Sequence, residues 1–413
     1  MSGGAAPAPK PWRALATGAL AERARSAALD IAEALPDFVP HEGEGAEPPS
    51  WQYAQVALVH AHAAKALGGG AYAASAERYL ELASESLAHE GDPGVSLYCG
   101  IAGVAFCAAD AGRGSGVPVA LDEIDEAIED YLAAERWAGP YDLVSGLVGL
   151  GVYALERLPA SRRMAASVLR HLEALAERTE LGLRWATPRG DGAGVRYDLG
   201  LAHGAPGVVA LAARCLAAGV EPRQSERLVR GALCEARARR LPESAASAYP
   251  YFVGEGIAPA ATKPAWCYGD PGVAAAWLAA ARALGSAPLE REAIELARRA
   301  GARDPEASKI VDAGLCHGTL GLAHMLNRMH QATGDGPLGE AALAWLERGL
   351  AMRREGRGVA GYAFYYAPDG KTTQWVDDPT FLSGAAGVAL ALLAFASDSE
   401  PTWDALLLLS GPP

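Results

Sequence analysis

The chain has 413 residues, half of them hydrophobic, and a net charge of −13. That length and composition can bury a large core in a globular protein. The acidic balance argues against nucleic-acid binding, whose affinity rests on Lys and Arg displacing counterions from phosphates.

The first residues, MSGGAAPAPKPW, lack the basic-then-apolar pattern of a secretory signal, and no uncharged stretch is long enough to span a bilayer. Residues 1–12 are expected to be a flexible N-terminus, and 13–413 a single domain in a cytoplasmic protein. Segments 13–35 and 51–67 read as a first helix pair. After them a Gly-x-x-Gly pattern opens an apolar run six times, with first glycines Gly100, Gly146, Gly204, Gly269, Gly318 and Gly384 spaced 46 to 66 residues apart. Self-similarity of this kind marks stacked units, because no unit can bury its apolar face alone. The runs are rich in Ala, Leu and Val, and three of them stop near Gly219, Gly285 and Gly334, as buried helices with glycine C-terminal stops do. Ahead of the motifs lie segments of mixed charge at helical period, 73–90, 122–135, 161–178, 223–239, 288–300 and 337–352, which read as outer amphipathic helices.

An open array of helix pairs needs polar caps at its ends. The last inner run, GVALALLAFA, is as apolar as the middle ones, so the array is expected to close into an all-α double toroid, an α/α barrel of seven inner and seven outer helices. The glycines let the chain turn sharply into each inner helix and let neighbouring helix starts approach closely. Two longer Gly-rich aromatic segments, 182–200 and 355–380, are read as rim loops, with strand character near Tyr362 to Tyr366.

Equivalent repeat positions come to one end of such a ring. Cys267 lies two residues before Gly269, and Cys316 and His317 lie two and one before Gly318, so the three can converge although 49 residues separate the cysteines. Two thiolates and an imidazole suit Zn2+, and three protein ligands leave a position open, the pattern of a catalytic site. Six cysteines in a chain this long do not make a disulfide framework. Cys107, Cys215 and Cys234 read as core, and so does Cys99, although it also precedes a repeat glycine. His60, His62, His171, His324 and His330 fall on helical stretches and read as surface or satisfied core. His203 precedes Gly204 as His317 precedes Gly318, and reads either as a general acid or base facing the same space or as a fourth ligand. Asp142, four residues before Gly146, either orients that imidazole or caps a helix.

At these residues the chain resembles the LanC-like family of lanthipeptide cyclases and their relatives. The stretches AHG, WCYG and CHG occur in that order at His203, Cys267 and Cys316, and the resemblance covers most of the chain. It implies a double toroid of seven inner and seven outer helices, zinc on Cys267, Cys316 and His317, and acid/base roles for His203, Asp142 and Tyr268. The family commonly has an arginine four residues before the first zinc cysteine, where this chain has Lys263. Lysine keeps the charge and loses the planar fork of donors. The implied reaction is intramolecular Michael-type addition of peptide cysteine thiols to dehydroalanine or dehydrobutyrine. That reaction needs a dehydrated precursor peptide with a leader, and therefore a dehydratase, with an exporter in a membrane-associated complex as a further partner. Two other readings stand beside it: addition of glutathione to dehydroamino acids, and a zinc-stabilised toroid that binds a peptide without chemistry. A glycoside-processing α/α barrel would need paired carboxylates at the tips, which carry Cys and His instead. Closure by internal pairs favours a monomer.

Overall fold

The computed structural model describes residues 11–38, 48–113, 121–367 and 372–410. The apolar runs form the helices α2 (Ser50–Leu67), α4 (Ile101–Gly112), α6 (Leu147–Glu156), α8 (Ala205–Ala217), α10 (Asp270–Ala283), α12 (Thr319–Thr333) and α14 (Ala385–Ala396). These are the inner helices, and α14 is buried at every position. A helix that is apolar all round needs neighbours on all sides. Each inner helix packs on the next, and α14 packs on α2, so the ring closes.

The segments of mixed charge form the outer layer: α1 (Gly18–Ala34), α3 (Gly70–His89), α5 (Asp122–Leu132), α7 (Arg162–Leu175), α9 (Pro222–Arg237), α11 (Ala287–Gly301) and α13 (Gly336–Ala351). Each buries one stripe, as α7 does with Met164, Ala165, Val168, Leu169 and Leu172. The pairing is in the opposite phase to the outer-then-inner order of the sequence reading. From α3 onward, an outer helix packs on the inner helix before it, and α1 covers α14. The first helix therefore completes the seventh pair. Trp12, expected in the flexible terminus, joins this closure: it is 3 % exposed and its indole N–H donates to Ala394 O at 3.0 Å. Residues 1–10 of that expected terminus lie outside the described residues.

The motif glycines are required for space rather than for a left-handed φ. A Cβ on Gly269 would lie 2.4 Å from Lys263 O, and one on Gly272 would lie 2.3 Å from Trp266 O and 3.0 Å from Leu201 Cβ of the neighbouring tip. The chain folds back on itself just before each inner helix, and adjacent tips touch there.

A run of backbone hydrogen bonds stitches the tips together. Leu143 N donates to Ala202 O at 3.0 Å, Ala202 N to Cys267 O at 3.2 Å, Trp266 N to Cys316 O at 3.0 Å, and Cys316 N to Leu382 O at 2.8 Å. Helix α2 has no tip motif, and the side chain of Gln55 fills its place. Phe381 N donates to Gln55 Oε1 at 2.9 Å, and Gln55 Nε2 donates to Tyr98 O at 3.3 Å. The amide of Gln55 acts as a surrogate peptide unit in the ring of tips.

The lumen is filled from within by the C-terminal segment, a 3-10 helix over Thr402–Leu407 and the residues after it. Trp403, Leu406, Leu407 and Leu408 are buried. Tyr98 Oη donates to Leu406 O at 2.6 Å, Trp266 Nε1 donates to Leu407 O at 3.0 Å, and the buried Arg214 holds Leu408 O and Ser410 O. His324 Nε2 and Arg328 Nε each lie 2.8 Å from Asp404 Oδ2.

The rim segment 182–200 is more ordered than the loop expected. Strands β1 (Glu177–Arg178) and β2 (Leu183–Arg184) form a hairpin, and β3 (Thr187–Pro188), β4 (Val195–Asp198) and β5 (Phe252–Val253) form an antiparallel sheet in the order β3-β4-β5. The strand character near Tyr362 to Tyr366 appears as β6 (Phe364–Tyr366), paired with β7 (Gln374–Val376).

Candidate active site and metal centre

Because the tips are stitched, residues far apart in sequence share one rim. Trp266 N and Cys267 N both donate to Cys316 O, at 3.0 and 3.4 Å, which sets the tip before α10 directly against the tip before α12. The two thiols and the His317 imidazole meet there, with ligand atoms within 4.8 Å of one another, and all three residues are half-buried. Among the described residues no other group of three His, Cys, Asp or Glu side chains is gathered in this way.

The three groups of the cluster shift one another's protonation. The Cys316 thiol beside it holds the Cys267 thiol well below the ordinary thiol value, with the His317 imidazole adding to the effect against burial. Cys316 is pushed up in return by Cys267 and by burial. His317 is raised, first by its hydrogen bond to Cys267 and against burial, with help from the Asp312 carboxylate. Two soft sulfur donors and an imidazole fit zinc, which takes such ligands as thiolate and neutral imidazole.

Asp312 was not singled out from the sequence. Its buried carboxylate accepts from Gly314 N at 3.1 Å, which shapes the turn ahead of Cys316, and from Tyr365 N of β6 at 3.2 Å, which ties that hairpin to the metal rim.

His203 projects from the tip before α8. Its Nδ1 lies 2.6 Å from Asp142 Oδ2, while Asp142 Oδ1 accepts from Ser145 N at 2.8 Å. Asp142 thus orients the imidazole with one oxygen and closes the turn ahead of α6 with the other; it is not the helix cap that the sequence also allowed, since Gly146 holds the N-cap position of α6 and no side chain caps that helix. Burial opposes charge on His203, but the Asp142 carboxylate, with Cys267 and Asp198, outweighs it and raises the imidazole above its ordinary value. Since Nδ1 is committed to Asp142, Nε2 is the free edge of the ring.

Tyr268 stacks on His203, with ring centroids 5.6 Å apart and planes 28° from parallel. Its hydroxyl donates to Asp198 Oδ1 at 2.7 Å. Burial and Asp198 push the phenol far above its usual value. Tyr268 therefore keeps its proton and presents a ring face to His203. Lys263 is half-buried and stands close enough to His317 for its charge to oppose protonation of that imidazole.

Asp198 and its ion-pair partner Arg196 were also missed. A signal existed: Asp198, Asp312 and Asp378 share one repeat position, six residues before Gly204, Gly318 and Gly384.

The sequence profile described as "Lanthionine synthetase C-like protein" matches residues 53–408, most of the chain. The chain belongs to the lanthionine synthetase C-like family. Among solved structures it is similar to one titled "Nisin cyclase", with a TM-score of 0.71 and 18 % identity over 93 % of this chain and 97 % of that one. At that identity the likeness shows the fold, the helical toroid expected from the repeats. Weaker likenesses reach an unsaturated glucuronyl hydrolase from Streptococcus agalactiae, with a TM-score of 0.49 and 12 % identity over 94 % of each chain. An alpha-1,6-mannanase of Salegentibacter follows at a TM-score of 0.48 and 10 % identity, over 94 % of this chain and all of that one. No curated protein matches the sequence. Among the described residues of this LanC-like chain, no helix is long and apolar enough to cross a membrane.

Proposed function

We propose that this LanC-like protein is a zinc-dependent lanthipeptide cyclase that adds peptide cysteine thiols to dehydroalanine or dehydrobutyrine in a dehydrated precursor peptide. The observation that carries the reading is the meeting of Cys267, Cys316 and His317 on the same rim as the His203–Asp142 pair. Cys267, Cys316 and His317 would hold the metal. Bound there, zinc supplies Lewis acidity that favours the thiolate form of an incoming thiol.

The chain's own groups account for the rest of the chemistry. In the addition, sulfur bonds to the β-carbon of the alkene, the alkene electrons move to the adjacent carbonyl as an enolate, and a proton then reaches the α-carbon. His203 supplies that proton from Nε2, since Asp142 occupies Nδ1 and stabilises the charged imidazole. The proton lost by the thiol restores the imidazolium, so the cycle balances without a further reagent. Lys263 contributes positive charge where the enolate develops, as a point charge rather than a bidentate fork. Tyr268 forms the wall on which His203 stacks.

The precursor peptide, with its leader, is the substrate partner, and its alkenes require a dehydratase acting earlier. An exporter and a membrane-associated complex complete the proposed setting of a cytoplasmic, monomeric enzyme.

The test is to incubate purified, zinc-loaded protein with a synthetic dehydrated peptide carrying one cysteine, and to follow loss of free thiol at unchanged mass. Ring formation in the wild type, lost in Cys316→Ala and His203→Ala, supports the reading. A mass gain from added glutathione without ring formation would replace it with the intermolecular reaction, and no reaction with either thiol would leave a binding toroid.

A further inference from the structure

Strand β4 alternates as a strand must, with neighbouring side chains on opposite faces. Val195 and Tyr197 face a groove of about 840 Å³ that Arg184 and Ile257 also line. Arg196 and Asp198 point the other way, toward Tyr268. Two antiparallel neighbours pin the strand, with Thr187 opposite Arg196 and Phe252 opposite Asp198, and Leu199 N adds a bond of 2.9 Å to Tyr251 O.

The Asp198 side chain is wholly buried, and its carboxylate is satisfied by two donors. Arg196 Nε donates to Oδ2 at 3.2 Å, and the Tyr268 hydroxyl donates to Oδ1 at 2.7 Å. The Arg196 guanidinium in turn lies over the Phe252 ring at 4.8 Å. Tyr268 is held between three neighbours. Its ring rests on Gly200, where a Cβ would come within 2.6 Å of Tyr268 Cδ1; Tyr251 lies 5.6 Å away and His203 also 5.6 Å away. A ring held by packing alone can swing about its side-chain torsions. One also anchored at its hydroxyl cannot, because the anchor sits at the end of the longest lever.

Resting on the cyclase reading above, we propose that Arg196 and Asp198 are positioning residues that lock the Tyr268 ring against His203 and so fix the direction from which His203 delivers its proton. The anchor is a buried carboxylate, which must keep its donors because leaving it unpaired is costly. Asp142 holds one edge of the imidazole by a hydrogen bond, and the Arg196–Asp198–Tyr268 chain braces one face by stacking. Together they leave Nε2 a single direction. Proton transfer is sensitive to such alignment, since misplacement of a reacting group by about 1 Å costs on the order of a hundredfold in rate.

The experiment is a double-mutant cycle on the zinc-loaded protein, with cyclisation of the dehydrated peptide as readout and zinc content measured for every variant. Asp198→Asn and Tyr268→Phe should each lower kcat by roughly tenfold or more, with KM and zinc content near the wild-type values. The combined variant should fall no further than the worse single one, because Asp198→Asn weakens and Tyr268→Phe removes the same link. Arg196→Gln should reproduce the Asp198→Asn effect in milder form. Losses that multiply in the double variant, or a change confined to KM, would overturn the proposal, as would loss of zinc in the singles. A second readout separates this idea from the reaction itself: the rate at which diethyl pyrocarbonate modifies His203, followed by peptide mass spectrometry. If the wild type does not cyclise peptides, the cyclase reading fails, yet faster His203 modification in Asp198→Asn and Arg196→Gln would still support the brace. Unchanged rates in both would sink it.

Discussion

Asp142 Oδ2 lies 2.6 Å from His203 Nδ1, and the two residues come from neighbouring tips 61 positions apart in the chain. That carboxylate raises the imidazole against its own burial, so the acid form persists to higher pH than in a free histidine. Under the proposed chemistry, activity is lost as pH rises through the His203 value and the acid form disappears. Asp142→Asn should move that alkaline limb to lower pH and lower kcat about a hundredfold, since general acid catalysis is worth roughly 10²–10⁴. A pH–rate profile of both proteins checks it, and an unmoved limb would assign the limb to another group.

The metal ligands should be separable from the fold. The bonds that bring their tips together run from Trp266 N and Cys267 N to Cys316 O, between backbone atoms that side-chain replacement leaves in place. Cys267→Ala, Cys316→Ala and His317→Ala should each lose zinc by elemental analysis while the melting temperature falls by less than about 5 °C. A metal-stabilised binding toroid requires the opposite, collapse of the fold on chelation.

Gln55 offers a sharper test of how the ring closes. Gln55→Leu would leave Phe381 N–H and Tyr98 C=O without the partners they have now, in a place where both residues are buried. Orphaning two buried backbone groups costs about 2–6 kcal/mol in all. Urea unfolding measures it. Gln55→Glu keeps the acceptor for Phe381 but sets a buried carboxylate against the Tyr98 carbonyl, and should cost at least as much at neutral pH.

The toroid was legible because the motif repeats. Six copies at one register announce six inner helices, and the same register places Cys267, Cys316, His317 and His203 on one rim before any coordinates exist. Gln55 was not legible because α2 carries no motif, and a side chain that imitates a peptide unit leaves no pattern. Asp198 could have been found from its repeat position, but Arg196 was hidden in a Gly-rich stretch whose strands are two to four residues long, too short for alternation to stand out. The phase of the pairing was also invisible: periodicity marks a helix as amphipathic without saying which neighbour it covers. The contact between α1 and α14 joins the two ends of the chain, and local sequence carries no record of it.

The C-terminal segment should matter more to stability than its ten or so residues suggest, because it carries the charge that the lumen needs. Asp404 is fully buried against His324 and Arg328. Burial alone would raise its carboxyl, but Arg328 and His324 hold it below the ordinary value. Asp110, buried beside His62, Lys65 and Arg113, is depressed in the same way, and Thr402 of the plug donates to it. A depressed carboxyl contributes stability above its unfolded value that is lost as pH falls through the folded one, so the plug should loosen below about pH 4. Asp404→Ala at neutral pH leaves His324 Nε2 unpartnered and Arg328 with only Glu400 and Pro401 O, and should cost about 3 kcal/mol. The loss should reach the metal rim too, because Leu407 O in the plug accepts from the indole of Trp266, the residue before Cys267. Zinc should therefore leave Asp404→Ala faster than wild type in a chelator competition. Arg13→Ala, which breaks an exposed pair with Asp398 at 3.6 Å, should leave both stability and zinc release unchanged. Equal zinc release from Asp404→Ala and wild type would show that the plug supports the barrel without reaching its rim.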